Sequence, residues 1–362
     1  MQIIEDRRNL HRIPELQWNL PETAAFVRKA RENLNCRGFS PVGDAVCAFF
    51  DFGAEEAIAF RADMDALPIE EKSDAAYIST HPGKMHACGH DGHTAILLEL
   101  ARRLDKKEKL PHNVLLVFPP AEESPGGAKI ISDTGVLEQH RVKAAFGLHL
   151  WPGLEKGEVF SREQELMASA SELTVDIYGR SSHIGNAAAG IDATAAAMEF
   201  YRLVRQAEAD FPPEVFRLMN FGQLHSGTVR NALSAHAHME GSLLAFQDEV
   251  LEKLREKLFA AAKTIEEQFG CRVEITLGDC YPAVMNDPAL LARVEAVAPV
   301  RKLDKPSMTA EDFSWYQRFA GGIFFFLGLG DAPALHASNI DFDEAVLVNG
   351  ADFFEKLAEE FR

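Results

Sequence analysis

A chain of 362 residues, 47% hydrophobic and 25% charged, has the composition of an ordinary globular protein and the length for two domains. Its formal charge of −18 argues against nucleic acid as a partner, because phosphate binding needs a basic surface. There is no apolar run as long as a membrane span, no apolar signal-peptide core at the start, and no regular spacing among the five cysteines. We therefore expect a cytoplasmic protein with reduced thiols and no membrane contact.

The first part of the chain alternates predicted helices with apolar strands. Helical spacing of apolar residues predicts helices in EDRRNLHRIPEL, ETAAFVRKARENL and HTAILLELARRLDKK. Strands are predicted in AVCAFFDFG, AIAFRADMDAL, NVLLVFPP and KAAFGLHL, and the last two are apolar almost throughout, which is typical of strands covered on both faces. This alternation predicts an α/β domain.

The pattern changes from about residue 168. SELTVDIYGR alternates apolar and polar residues, as a strand with one solvated face does, and it begins a predicted β-α-β-α-β run. The α/β character returns after Tyr281, with GGIFFFLGLG as a core strand and a terminal amphipathic helix. We therefore predict an α/β domain in two parts, 1–167 and 281–362, interrupted by a smaller α+β insert at 168–280.

The stretch MHACGHDGHTAILL crowds histidine, cysteine and aspartate against the start of a predicted buried helix. Cys88 and His90 are two residues apart, so in an extended segment both side chains point the same way. Thiolate and imidazole together suit a borderline transition metal. The alternative is a chance cluster beside a helix N-terminus, and this stretch alone does not decide between the two.

Two adjacent carboxylates, Glu122 and Glu123, follow the apolar strand NVLLVF, where α/β sheets place ligand sites. They would repel each other unless a cation compensated their charge. In an irregular segment one can bind a metal while the other faces the attacking water, which is the division of labour in metal-assisted hydrolysis. The alternative is a solvated acidic loop, and the position after a strand favours the catalytic interpretation.

Further candidates also lie at strand ends. His149 closes one apolar strand, His336 follows another, and Asp63 and Asp65 follow a third. A lone histidine of this kind is more often a core residue, but the candidates converge beyond the strands of one predicted sheet. His183 differs, because it lies in a Gly/Ser-rich link of the insert and is expected to be exposed.

Seven segments together resemble a family of metal-dependent amidohydrolases that includes N-acyl amino-acid amidohydrolases, hippurate hydrolases, auxin-conjugate hydrolases and N-acetyldiaminopimelate deacetylases. The segments are RRNLHRIPEL, RADMDALPI, GKMHACGHDGHTA, PAEESPGGA, GLHLWP, MTAEDF and LHAS, and the resemblance runs along nearly the whole chain. It implies a catalytic domain with a mixed central sheet, interrupted by a lid that also forms a homodimer.

The resemblance also implies roles for individual residues. Two divalent ions, zinc or manganese, would be held by Cys88, His90, Glu123, His149 and His336. Glu122 matches the general base, and His183 matches the lid histidine that reaches the partner's active site. Asp63 and Asp65 would support the site.

The substrate expected from the resemblance is an N-acyl amino acid, whose amide bond is hydrolysed. SASELTVDIYGR with GTVRNAL is most similar to the diaminopimelate deacetylase branch. Leu244 stands where the lid strand of the family has an arginine, so we expect Arg230 and Asn231 to bind the substrate carboxylate. The alternatives are a metal-dependent dipeptidase or carboxypeptidase and a non-catalytic metal or amino-acid binding protein, which would not need a general base.

Overall fold

The computed structural model describes residues 1–123 and 126–362, with only the backbone at position 279. Chain packing divides them into two compact units. The larger unit comprises Met1–Leu166, Val284–Pro306 and Asp312–Arg362, and the smaller comprises Met167–Ala283 and Ser307–Glu311. No helix in these described ranges is both long enough and apolar enough to cross a bilayer.

The helices and strands of the described residues follow in chain order. The helices are α1 (Gln2–His11), α2 (Pro21–Ala30), α3 (His90–Leu104), α4 (Gly127–Asp133), α5 (Val136–Gln139), α6 (Ala193–Ala209), α7 (Asp248–Phe269), α8 (Pro288–Glu295), α9 (Ser314–Ala320) and α10 (Val346–Glu360). The strands are β1 (Arg37–Phe39), β2 (Val46–Phe50), β3 (Ala57–Arg61), β4 (Asn113–Phe118), β5 (Val142–Trp151), β6 (Val159–Ser161), β7 (Gln164–Met167), β8 (Ser169–Tyr178), β9 (Arg217–Ser226), β10 (His236–Ala245), β11 (Arg272–Tyr281), β12 (Val284–Asn286), β13 (Arg301–Lys302) and β14 (Gly322–Gly328).

The larger unit is built on a mixed sheet, which within the described residues has the order β1-β2-β4-β3-β5-β14-β6-β13. Its centre, β4-β3-β5-β14, is parallel, while β2 and β6 pair antiparallel with their central neighbours. Every residue of β3, β4 and β14 is buried, as expected for strands covered on both faces. Helices α3, α9 and α10 pack on this sheet, which confirms the α/β class with a mixed central sheet.

The parallel strands bring the candidate residues to one edge. The carboxyl ends of β3, β4, β5 and β14 lie at the same side of the sheet, where open α/β sheets bind ligands. The loops after β3 and β4 carry the four candidate carboxylates, β5 carries His149 near its end, and the loop after β14 carries His336. The sheet order thus gathers chain segments that are far apart in sequence.

The smaller unit contains an antiparallel sheet with the order β11-β8-β10-β9 in the described part of the chain. Helices α6 and α7 pack on one face of it, and Val175, Phe200 and Leu254 are fully buried between the layers. The element order is β-α-β-β-α-β, so the predicted β-α-β-α-β run missed β9. Of the ten residues of this edge strand only Met219 is buried, so β9 lacks the alternation that marks a half-buried strand.

Candidate metal centre

The segment of Cys88 and His90 is shaped by glycines at the start of α3. Gly89 has φ 89° and caps the helix, a left-handed conformation that glycine adopts without strain. A Cβ at Gly92 would lie 2.6 Å from Cδ1 of Leu150, so glycine also allows the first turn to pack closely on β5. The chain therefore turns sharply after Cys88 and holds His90 at the head of a buried helix.

Two histidines are oriented through their Nδ1 atoms. His90 Nδ1 donates to the carbonyl oxygen of Asp65 at 2.8 Å, and His149 Nδ1 donates to the carbonyl oxygen of Leu150 at 2.7 Å. In each ring Nε2 then faces away from these carbonyls and into the site. Backbone partners of this kind fix the ring orientation of metal-binding histidines.

Cys88 lies between two imidazoles. Its Sγ is 3.4 Å from Nε2 of His149 and 3.3 Å from Nε2 of His336. The backbone N–H of His336 donates to the carbonyl oxygen of Ala87 at 2.8 Å, which holds the His336 loop beside the cysteine. His336 has φ 66°, a rare conformation for a non-glycine residue and one that occurs at functional sites.

Asp65 positions the two glutamates. Its carboxylate oxygens accept the backbone N–H groups of Glu122 at 3.0 Å and Glu123 at 3.1 Å. Oε1 of Glu123 lies 3.4 Å from Nε2 of His336, while Oε2 of Glu122 lies 3.8 Å from Nε2 of His90. The two neighbouring carboxylates are therefore anchored by one aspartate and directed to different partners. Ser124 and Pro125 of the PAEESPGGA segment lie outside the described residues.

The donor atoms of these side chains form compact groups. Within Cys88–His90–His149 and within Cys88–Glu123–His336, all donor atoms lie within 4.8 Å of one another. Nitrogen, sulfur and oxygen ligands bind zinc at roughly 2.0–2.3 Å, so donors of one ion lie about 4 Å apart or less. Cys88 belongs to both groups, an arrangement that could serve two neighbouring ions.

The electrostatics of the site favour a cation. Among the described residues, Nε2 of His90 has no hydrogen-bond partner, although it is buried and lies 3.6 Å from Asp63 and 3.9 Å from Glu123. Burial lowers the pKa of His90, but the carboxylates, Asp63 foremost, outweigh it and raise this pKa to about 10. Burial, together with Glu123 and Glu122, raises the pKa of the Cys88 thiol well above its usual range. The donor set thus fits a divalent ion, which would compensate the clustered negative charge.

Asp63 takes part in a buried network that includes His93, to which the sequence assigned no role. Nδ1 of His93 donates to Asp63 at 2.6 Å, and its Nε2 accepts the backbone N–H of Leu150 at 2.9 Å. Arg61 donates to Asp63 at 2.7 Å. Both nitrogens of His93 are engaged, so this residue ties α3 to β5 beside His149.

Asp312, from the MTAEDF segment, extends this network. It accepts a hydrogen bond from Arg61 at 2.6 Å and another from the backbone N–H of Ala128 at 2.8 Å. Asp312 therefore joins the end of β3 to the start of α4, the helix that follows the glutamate loop. The MTAEDF segment was part of the family resemblance, but its residues did not indicate that Asp312 would contact Arg61 and Ala128.

The RRNLHRIPEL segment supplies a second buried network. Arg7 is 1% exposed, forms an ion pair with Asp91 at 2.8 Å between Nε and Oδ2, donates a hydrogen bond to Asp341 at 3.1 Å, and lies over the rings of Tyr77 and Phe342. Arg7 and His11 share Oδ2 of Asp91, with His11 Nδ1 at 2.7 Å.

This network connects two segments that carry candidate ligands. Asp91 directly follows His90, and Asp341 lies five residues after His336. Through Arg7, the N-terminal helix therefore fixes these two segments relative to each other. The sequence singled out the segment but indicated no role for it.

The remaining candidates lie in the smaller unit. His183 is exposed and its Nδ1 accepts the backbone N–H of Gly185 at 3.1 Å, so Nε2 carries the proton of the neutral ring. The carbonyl oxygen of Asn231 accepts the N–H of Ile184 at 3.0 Å, which brings His183 beside the exposed Arg230–Asn231 segment.

Comparisons with known proteins agree with the motifs. The model of peptidase family M20/M25/M40 matches residues 59–360. An uncharacterized hydrolase of Staphylococcus haemolyticus is 33% identical over 370 residues, covering 98% of this chain and 97% of that protein.

Two solved structures cover nearly the whole chain. The Bacillus subtilis YXEP protein, described as a dinuclear metal binding peptidase from the M20 family, is 30% identical, with a TM-score of 0.84 over 99% of this chain and 96% of its own. A protein from methicillin-resistant Staphylococcus aureus is 25% identical, with a TM-score of 0.89 over 98% of this chain and 95% of its own. These matches confirm the family resemblance seen in the sequence: the chain belongs to peptidase family M20/M25/M40 and is a hydrolase.

Proposed function

We propose that this hydrolase cleaves the amide bond of N-acyl amino acids and releases a carboxylic acid and a free amino acid. Two divalent ions, zinc or manganese, would be held by Cys88, His90, Glu123, His149 and His336. The observation that carries the proposal is the buried Nε2 of His90, which lacks a hydrogen-bond partner among the described residues and faces the Glu122 carboxylate at 3.8 Å. The description of the Bacillus subtilis relative as dinuclear supports the number of ions.

Individual residues would have separate roles in this hydrolysis. When bound, the ions would polarise the scissile carbonyl and lower the pKa of the attacking water. Glu122 would take the proton from that water and pass it to the leaving amine. In a dimer, the partner subunit's His183 would stabilise the developing oxyanion through Nε2–H, the donor left by its bond to Gly185. Arg230 and Asn231, beside His183, would bind the substrate carboxylate.

The second candidate function is that of a dipeptidase or carboxypeptidase, and the description of the Bacillus subtilis relative as a peptidase favours it. A panel of N-acetyl, N-benzoyl and N-succinyl amino acids, N-acetyldiaminopimelate and free dipeptides separates the two functions. We expect the zinc- or manganese-loaded protein to hydrolyse an N-acylated member best. Faster turnover of the free dipeptides than of the N-acylated members would contradict the proposal and identify the protein as a peptidase. A protein that only bound the metal or an amino acid would not need Glu122 as a general base.

The thiolate of Cys88 has a spectroscopic test. A Cys88 thiolate on cobalt(II) substituted for the native ion should give a sulfur-to-metal charge-transfer band, because the deprotonated sulfur is the ligand. We expect this band in the parent and in Cys36→Ser, and its loss in Cys88→Ser. A band of unchanged intensity in Cys88→Ser would remove Cys88 from the ligand set.

A homodimer built through the smaller unit is part of the proposal. In the described residues β9 lies at the edge of its sheet, and Met198, Tyr201 and Leu224 of α6 and β9 are 65%, 38% and 43% exposed. An edge strand with apolar neighbours is a surface that proteins normally cover, and two-fold pairing is the commonest way.

In such a dimer each active site would combine Glu122 of one subunit with His183 of the partner subunit. Two inactive variants could then complement each other. His183→Ala and Glu122→Gln should each be nearly inactive alone. After subunit exchange, each hybrid dimer should regain up to about half of the parent activity, because one of its two sites contains both intact groups. Activity should be measured alongside a direct assay of exchange. Exchange without recovery of activity would mean that each subunit works alone.

A further inference from the structure

The face of the smaller unit's sheet opposite its helices carries imidazoles and a carboxylate on three adjacent strands. His236 and His238 of β10 are two residues apart and share this face, while Ala237 and Met239 point into the core. His238 pairs across the sheet with Asp176 of β8 on one side and with His225 of β9 on the other. Paired residues of neighbouring strands point to the same face, so these side chains converge.

The side chains already share one acceptor. Oδ1 of Asp176 lies 2.7 Å from Nε2 of His236 and 2.9 Å from Nδ1 of His238. His225, His236 and His238 also line a common cavity of about 290 Å³. Imidazoles of two strands therefore line one small space, and a carboxylate of a third strand contacts two of them.

We propose that His225, His236, His238 and Asp176 form a binding site for a divalent transition metal ion such as zinc, made of different residues from the candidate metal centre. Imidazole nitrogen and carboxylate oxygen are ligands that zinc binds in tetrahedral geometry. The proposal concerns binding alone and does not depend on the reaction at the candidate metal centre.

Binding of an ion at this site requires rotation of the side chains. His236 and His238 place two ring nitrogens 2.7 and 2.9 Å from a single oxygen atom, whereas zinc binds imidazole nitrogen at about 2.0–2.1 Å. Both rings would therefore rotate toward the ion while the carboxylate turns aside and becomes a further ligand. The side chains of His236, His238 and Asp176 are 47%, 32% and 24% exposed, so they can rotate without disturbing the core. An ion bound to β8, β9 and β10 would cross-link three strands of the sheet.

The number of ions bound per chain tests the site directly. In equilibrium dialysis against micromolar zinc, the parent should bind one ion per chain more than His236→Gln or His238→Gln. Each substitution removes one of the imidazoles, and we expect it to weaken this site by at least about tenfold, as loss of even outer partners does at other metal sites. Because both variants retain every residue of the candidate metal centre, the difference in ion number is independent of the ions bound there.

Two further variants complete the experiment. His140→Gln alters a histidine of the larger unit that contacts Arg37 and stacks on Phe39, and it should bind as many ions as the parent. Asp176→Asn should weaken the site while leaving the three imidazoles in place. Equal zinc binding by the parent, His236→Gln, His238→Gln and Asp176→Asn would overturn the proposal and leave these contacts as a polar network of the sheet surface.

Discussion

Glu122→Gln is expected to lose hydrolytic activity by roughly two to four orders of magnitude, the usual contribution of general acid–base catalysis. Glu122 is 7% exposed and its Oε2 lies 3.8 Å from Nε2 of His90. Glutamine has nearly the same shape, and the backbone N–H at this position would still donate to Asp65, so the loop should keep its conformation. The amide cannot accept the proton of the attacking water, and kcat should therefore fall while the metal content stays that of the parent.

The matched control for this variant is Glu138→Gln, which removes an exposed carboxylate from α5. It should leave kcat and metal content unchanged. Full activity in Glu122→Gln at normal metal content would remove this residue from the mechanism. Loss of activity together with loss of the metal would instead identify Glu122 as a ligand.

Arg7→Met is expected to have the largest effect on stability. The guanidinium is 1% exposed and neutralises Asp91, so its removal leaves a buried carboxylate with less compensation. Breaking a buried ion pair in this way costs about 3–5 kcal/mol. Metal affinity should fall as well, because the segments that carry His90 and His336 lose their common partner. Denaturant unfolding measures the first effect and competition with a chelator the second.

Arg8 provides the control for this experiment. It follows Arg7 in the chain, its side chain is 46% exposed, and it contacts Glu344. Arg8→Met should lower the free energy of unfolding less than Arg7→Met, because Arg7 still pairs with the buried Glu344 at 3.4 Å, and it should leave metal affinity unchanged. Arg7→Lys keeps the charge but loses the planar fork, and it should restore stability better than metal affinity. Unchanged metal affinity in folded Arg7→Met would mean that the network stabilises the unit without positioning the ligands.

Local patterns in the sequence were sufficient for the fold class and for much of the candidate site. The apolar runs of β4, β5 and β14 mark a covered parallel sheet, and its class is confirmed. Cys88, His90 and Glu122 could be nominated because short motifs beside strand ends carry their chemistry. The edge strand β9 could not be predicted, because its side chains are mostly exposed and their pattern is weak.

The sequence by itself determined the α/β class, the family and the segments that carry candidate ligands, since each depends on residues that are close together in the chain. Only the tertiary structure decided which atoms meet. Arg7 and Asp341 are 334 positions apart, and Arg61 and Asp312 are 251 apart, yet both pairs are in hydrogen-bond contact. Such contacts follow from the strand order of the sheet and the packing of helices on it, which residue types and local spacing do not specify. The support of the candidate metal centre by these arginine networks is therefore a property of the folded chain.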